Sequence, residues 1–310
     1  MWNIPYFDAH CDTISMRCLR GNESLRRNSG QLDLTRLHEF ATAGQLFAIF
    51  APSGQFKREE LWNLVCRQHQ RFLDELAANQ DIAVHCRTAA DASQAFHEGK
   101  IAAFLSIEGA ELMNCDVNLL NAAEEWGVRA INLTWNYPNA ISGTNAQETD
   151  RGLSDLGRRF VREAQKRHIL MDVSHLSDPG FWDLMEITEG PVIASHSNCR
   201  ALCPHARNLT DEQIRALVEN RGFAGLNVYT AFVGEKGGMD ELIAHVEHFW
   251  ELGGEDILGL GGDWDGCDSL AGGLTGVQDL PKLYEALYRR NHSEQLLRKL
   301  FGGNLLRVLG

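Results

Sequence analysis

The amino-acid sequence predicts an α/β fold, a (β/α)8 TIM barrel, and three observations carry that prediction. Short apolar, β-rich runs alternate with longer stretches of helical period along the whole chain of 310 residues. Strands separated by helices imply parallel pairing through right-handed crossovers, and about eight such units favour a closed barrel over an open sheet. Asp, Glu or His then stands where several of the runs end, at the C-terminal mouth where barrels gather their reactive groups.

The first run, Ile4 to Ala9, ends in Asp8-Ala9-His10-Cys11-Asp12. The second, Gln45 to Phe50, precedes an amphipathic helix from Arg58 to Ala77 whose Leu61, Leu64, Val65, Phe72 and Leu76 recur on one face. The third, Ile101 to Ile107, ends in Ser106-Ile107-Glu108, and the fourth, Val128 to Leu133, leads into Thr134-Trp135. A second amphipathic helix, Leu153 to Lys166, carries Leu156, Phe160, Val161 and Ala164. The fifth run, Ile169 to Ser174, closes on His175, and the sixth, Pro191 to Ser195, on His196. Thr210 followed by Asp211, Glu212 and Gln213 reads as a capping box opening a helix to about Asn220. The seventh run is Gly222 to Val228, and the eighth, Ile257 to Gly261, leads to Gly262-Asp263. With no repeat or low-complexity linker in between, residues 1–310 are expected to form a single catalytic barrel domain.

Composition narrows the function. Lys plus Arg number 29 against 42 Asp plus Glu, a formal charge of −13, which argues against nucleic acid or an anionic membrane as partner because both demand a basic surface. Hydrophobic residues at 44% and charged residues at 23% suit a compact domain with a buried core. A basic n-region followed by an apolar stretch is absent at the amino terminus, and no run of about 18 apolar residues occurs; the expectation is a soluble cytoplasmic protein. Eight cysteines scattered over the chain fit reduced thiols better than a disulfide scaffold.

Residues i and i+2 of a strand share a face, so His10 and Asp12 can face one ion while Cys11 turns away. Imidazole with carboxylate suits a borderline cation such as zinc, and Glu108 has two oxygens with which to bridge two ions. Any one of these residues alone reads as an ordinary polar group where a strand meets a loop; five strand ends on one mouth read as a metal centre. Three other patterns are weaker. Cys199, Cys203 and His205 lack a second cysteine pair at zinc-finger spacing. Counting from Asp263, a calcium loop needs Gly at the sixth position and Glu at the twelfth, where the chain has Asp268 and Leu274. Gly259-Leu260-Gly261-Gly262 lacks the helix and second strand of a dinucleotide site, so its glycines are expected to admit a close backbone approach. Arg207, on the loop after the sixth run, can clamp a substrate carboxylate.

Taken together, His10-Cys11-Asp12-Thr13, Ser106-Ile107-Glu108-Gly109, Asp172-Val173-Ser174-His175, Pro191 to Ser197, Ala206-Arg207-Asn208, Gly262 to Gly266 and the closing Gly302 to Leu309 resemble the membrane (renal) dipeptidase family of zinc peptidases. The resemblance spans nearly the whole chain in one order. It implies a metallo-dependent hydrolase barrel with two zinc ions per chain, one held by His10, Asp12 and Glu108, the other by Glu108, His175 and His196. It further implies that Arg207 binds the carboxylate of a short peptide substrate, that Asp263 handles a proton beside the metals, and that the protein is a homodimer. Asp263 is preferred to Asp265 because it comes first after the strand. One departure stands out: many members of that family have a substrate-contacting His where this chain has Trp135, and an indole N–H donates a hydrogen bond but never becomes a cation.

The function expected is hydrolysis of free dipeptides, including those with a C-terminal D-residue, by a metal-activated hydroxide. Two rivals remain at this level: a related binuclear amidohydrolase acting on a non-peptide amide or lactone, and a metal-binding homologue whose turnover was lost with the change to Trp135.

Overall fold

A computed structural model describes residues 2–310; Met1, part of the expected domain, lies outside the described residues. The strands are β1 (Trp2–Cys11), β2 (Phe40–Ile49), β3 (Ala83–His85), β4 (Ile101–Glu108), β5 (Val128–Asn132), β6 (Leu170–Asp172), β7 (Val192–Ala194), β8 (Phe223–Leu226) and β9 (Leu258–Leu260). They run in the order β2-β1-β9-β8-β7-β6-β5-β4-β3, and β2 also pairs with β4, which closes eight parallel strands into a (β/α)8 barrel.

The eight expected strands are present with shifted ends, and β3 is an addition that the sequence pattern did not reveal. It pairs with Ile101 to Ala103 of β4, whereas β5 pairs with β4 from Leu105 onward. Because β2 already holds the other edge of β4, β3 lies on the β5 edge, outside the ring of eight. Three residues are too few to show an alternation.

Expected strands five and six were too long. Their ladders stop at Asp172 and Ala194 because the Asp172 carboxylate takes over: its Oδ1 accepts from the backbone N–H groups of both Ser174 and Ser195, at 2.9 and 3.0 Å. The chain is thereby freed to turn His175 and His196 toward the barrel axis. The expected helices appear as Arg58–Ala78, Asp155–Gln165 and Asp211–Glu219, the last with reciprocal capping bonds between Thr210 and Gln213. Between β1 and β2 no long helix intervenes, only the short segments Ile14–Arg20 and Leu34–Leu37.

On β4, Phe104, Ser106 and Glu108 share a face. Phe104 belongs to an apolar cluster with Phe7, Leu46, Ile193 and Phe223, joined by Leu305 and Val308 from the C-terminal segment. The barrel is thus filled with hydrocarbon below and becomes polar at the level of Glu108. Glycine is obligatory where backbones crowd at this level: a Cβ on Gly225 or Gly261 would lie 1.9 or 1.8 Å from the Ser195 carbonyl oxygen.

Closure of the ring is thinnest between β1 and β9, where the ladder has a single pair, Asp8 with Leu260. From Asp8–Gln45 to Cys11–Phe47, β1 advances three residues while β2 advances two, the signature of a β-bulge, which bends a strand and re-aims its side chains. The buried Asp8 carboxylate holds this irregularity together. It accepts from the His10 N–H (2.9 Å), the Gly262 N–H (2.8 Å) and the Trp264 indole (3.1 Å). Asp8→Ala leaves these three donors without that partner, and a buried unsatisfied group costs about 1–3 kcal/mol. Urea unfolding is expected to register a loss of about 3 kcal/mol or more; a loss below about 1 kcal/mol would show that the seam does not depend on this carboxylate.

Candidate metal centre

Five strand ends deliver His10, Asp12, Glu108, His175, His196 and Asp263 to one buried cluster. Glu108 stands at its middle. Its Oε2 lies 3.7 Å from His10 Nε2, while its Oε1 lies 3.0 Å from His175 Nε2 and 3.5 Å from His196 Nε2. The two histidine nitrogens are themselves 3.1 Å apart. On the other side His10 Nε2 is 3.9 Å from Asp12 Oδ1 and 3.8 Å from Asp263 Oδ1. One carboxylate therefore presents one oxygen to each of two donor groups.

At the end of β1, Cys11 turns its Sγ toward the Leu46 carbonyl, away from His10 and Asp12. The donors of His10, Glu108 and His196 lie within 4.8 Å of one another, as do those of His10, Asp12 and Asp263. Asp263, expected from the sequence as a proton carrier, thus also sits at ligand distance, and both His175 and Asp263 reach inward from left-handed backbone, φ +74° and +58°. Strained conformations of this kind persist only where surrounding structure holds them.

The residues fit a divalent cation. His10 Nε2 and Asp12 Oδ1 are buried without any hydrogen-bond partner, an arrangement that costs free energy unless something fills the space between them. Burial, reinforced by the charges of Asp263 and its neighbours, pushes the Asp12 carboxyl well above its usual range; burial and then the charges of Asp12 and Asp263 do the same to Glu108. Burial holds His10 down to about 4 and holds His175 and His196 well below the usual imidazole range, keeping the imidazoles neutral as metal ligands must be. Outer partners orient two of the rings: Ser195 Oγ lies 2.7 Å from His196 Nδ1 and Asn136 Oδ1 2.8 Å from His175 Nδ1.

Arg207 is buried beside this cluster. Its Nη2 donates toward His175 Nε2 at 3.1 Å, its remaining contacts are to Ser197 Oγ and the His196 carbonyl, and its guanidinium stands 5.4 Å over the Phe232 ring. None of these partners is a carboxylate. A cavity of about 620 Å³ opens over the cluster, lined among others by Glu108, Trp135, His175, Arg207 and Asp263. The Trp135 ring lies edge-on to Phe50 at 4.9 Å and 6.3 Å from the His175 ring.

Asp263 and Asp265 occupy different surroundings. Asp265 spends both oxygens on the framework, accepting from Thr13 Oγ1, Arg17 Nε and the Gln31 N–H, whereas Asp263 accepts from Asn227 Nδ2 at 3.2 Å and turns its other oxygen to His10. The Cys199–His205 segment forms no metal site of its own: Cys199 and Cys203 point at the carbonyls of His245 and Ala231. Asn136, Ser195 and Asn227 escaped sequence reasoning, since nothing in their spacing distinguishes them from other loop amides and hydroxyls.

Residues 1–310 match the family described as membrane dipeptidase, peptidase family M19. A protein of Acinetobacter calcoaceticus, known as an uncharacterized protein in the PQQ-III 3' region, is 30% identical over 80% of this chain and 90% of its own. Among solved structures, a metallo peptidase from Rhodobacter sphaeroides, liganded with a phosphinate mimic of the dipeptide L-Ala-D-Ala, superposes with a TM-score of 0.92 at 29% identity over 99% of both chains. Dipeptidase AC, a metallo peptidase of family M19, gives 0.91 at 30% identity over 99% of this chain and 98% of that one. With the barrel, the buried donor cluster and the match over its full length, the chain belongs to the membrane dipeptidase family, peptidase family M19, and is a hydrolase acting on dipeptides.

Proposed function

We propose that the protein hydrolyses free dipeptides with two zinc ions per chain, one held by His10, Asp12 and Glu108 and the other by Glu108, His175 and His196. The observation that carries this reading is the divided Glu108 carboxylate, one oxygen toward His10 and the other toward His175 and His196. Three imidazoles with carboxylates and no thiolate suit zinc. Bound there, divalent cations supply Lewis acidity, acidifying water toward neutral pKa and polarising a carbonyl.

The chain's own residues do the rest. Asp263, within reach of the cluster, takes the proton of the attacking water and returns it to the leaving amine. Arg207 binds the free carboxylate of the substrate by charge-assisted hydrogen bonds. Its guanidinium is 3.1 Å from His175, and one residue spans at most about 3.6 Å, so a carboxylate held there leaves room for one residue beyond the scissile bond. Trp135 forms part of the wall against which the substrate lies. The L-Ala-D-Ala mimic bound to the Rhodobacter sphaeroides relative supports extending the substrate range to a C-terminal D-residue. Among the described residues no helix is long and apolar enough to cross a membrane. We place this enzyme in the cytoplasm, whose reducing conditions suit its eight free cysteines. The same reading takes it as one catalytic domain that pairs as a homodimer.

Metal analysis of zinc-reconstituted protein is expected to give two equivalents per chain, falling by one in His175→Ala and in His196→Ala; unchanged content in both would overturn the ligand assignment. Asp263→Asn should lower kcat by about 10²–10⁴-fold, the usual contribution of a general acid–base, read by single-substrate kinetics on a mixed L,L and L,D panel. Arg207→Ala should raise KM for a dipeptide by about 10–100-fold, the equivalent of losing a charged hydrogen bond of about 1.5–3 kcal/mol, and should leave a dipeptide amide nearly unaffected. An equal loss on both substrates would refute carboxylate recognition by this residue.

A further inference from the structure

We infer that Asn136 is a positioning residue for His175, accepting from its Nδ1–H and holding the ring in orientation, and that Glu111 acts as the clamp that holds Asn136 in place. This rests on the two-metal reading above and adds to it two residues that bear no metal.

Two independent contacts fix the protonation of the His175 ring. Arg207 Nη2 lies 3.1 Å from His175 Nε2, and a guanidinium only donates, so Nε2 offers a lone pair. A neutral imidazole then carries its proton on Nδ1, and the group 2.8 Å from Nδ1 must accept it. That requirement selects the Asn136 amide oxygen over its nitrogen at this position and settles the orientation of the amide. The bare Nε2 faces Glu108 Oε1 at 3.0 Å, lone pair against lone pair, which is the arrangement a shared cation resolves. Because His175 leaves its strand with φ +74°, its backbone is strained and the ring depends on an outside partner to stay aimed.

Asn136 is itself held by a half-buried carboxylate that the hydrolytic reaction does not use. Glu111 follows Glu108 by three residues as the chain leaves β4. Its Oε1 accepts from the Trp135 N–H and from Ser53 Oγ, both at 3.3 Å, and its Oε2 accepts from Asn139 Nδ2 at 2.8 Å. Trp135 and Asn139 flank Asn136 on either side, so one carboxylate pins both ends of the segment that presents the amide oxygen. Asn139 secures the far end again, with its Nδ2 on the Leu133 carbonyl and its Oδ1 accepting from the Ile141 N–H. The segment leaving β4 therefore supplies both the carboxylate at the centre of the donor cluster and the one that anchors the loop orienting a neighbouring ligand. Partners of metal-bound histidines typically change metal affinity by about 10–100-fold when removed.

The test is zinc titration of the full-length, metal-free protein against a chromophoric chelator, with the ¹⁵N resonances of the His175 ring recorded on the same samples. Wild-type protein taking up fewer than two equivalents would sink the two-metal reading itself, whatever the variants do. Given two equivalents, Asn136→Leu, which keeps the bulk and removes the acceptor, should weaken one of them by about 10–100-fold, leave the other unchanged and shift the resonance of the His175 Nδ1–H that has lost its acceptor. Asn136→Asp restores an acceptor and should return affinity to within a few-fold of wild type. Glu111→Gln, which leaves Asn136 intact but sets an amide NH₂ against Asn139 or Trp135, should weaken the same equivalent toward the lower end of that range, and it tests the clamp even if Asn136→Leu fails to fold. Two equivalents of wild-type affinity in both Asn136→Leu and Glu111→Gln, or an unshifted His175 Nδ1 resonance in Asn136→Leu, would overturn the inference.

Discussion

β1 and β9 share one backbone pair; past it the Asp12 N–H donates to the Trp264 carbonyl, and the Asp8 carboxylate adds the rest of what the ladder lacks there. Asp8 accepts from the bulged segment of β1 through the His10 N–H and from the chain after β9 through the Gly262 N–H and the Trp264 indole. The same bond that satisfies the bulge sets the direction in which His10 leaves the strand, and the two on the far side fix the turn that carries Asp263. Barrel closure and the spacing of His10 to Asp263 are thus one constraint. Remaining parts of the site attach to this seam: Asp172 does the equivalent service between β6 and β7, where its oxygen frees His175 and His196 from their ladders.

The acidic groups of the mouth divide by how completely their oxygens are satisfied. Asp8, Asp172, Asp265 and Glu111 each accept two or more hydrogen bonds from the framework. In Asp12 one oxygen is buried with no partner, and Glu108 faces the imidazole nitrogens of His10 and His175 at 3.7 and 3.0 Å. A buried carboxylate saturated by donors is a structural joint; one starved of donors among other carboxylates invites a cation. Arg207, buried beside the cluster, supplies part of the missing positive charge.

The sequence made the barrel legible because its strands, buried on both faces, read as apolar runs, and because His10, Glu108, His175 and His196 each follow such a run directly and Asp263 one residue later. Position in the chain separated Asp263 from Asp265, and the structure shows a physical difference between them: Asp265 is consumed by Thr13, Arg17 and Gln31, partners remote in sequence. What could not be read has a common cause. Asp8, Asn136 and Glu111 matter through contacts with residues of other strands and loops, and nothing in their local pattern differs from that of ordinary polar residues. β3 was too short to carry a period, and the ends of β6 and β7 were misjudged because a side-chain oxygen replaced the ladder. Trp135 was visible as a departure in the sequence, and its place beside Phe50 and His175 gives that departure a location in the cavity wall.

The bonds between Asp8 and the turn after β9 join residues 254 and 256 positions apart, and Thr13 to Asp265 spans 252. Contacts of such separation form late, because a long loop must close before they gain anything. Synthesis runs from the amino terminus, so His10 and Asp12 leave the ribosome long before the segment that will face them exists. The donor cluster is assembled only when the ninth strand slots in against the first. A nascent or clipped chain ending short of Asp263 contains His10, Asp12, Glu108, His175 and His196 yet lacks the seam that sets their spacing, so the donor cluster is completed as the last event of folding rather than growing with the chain.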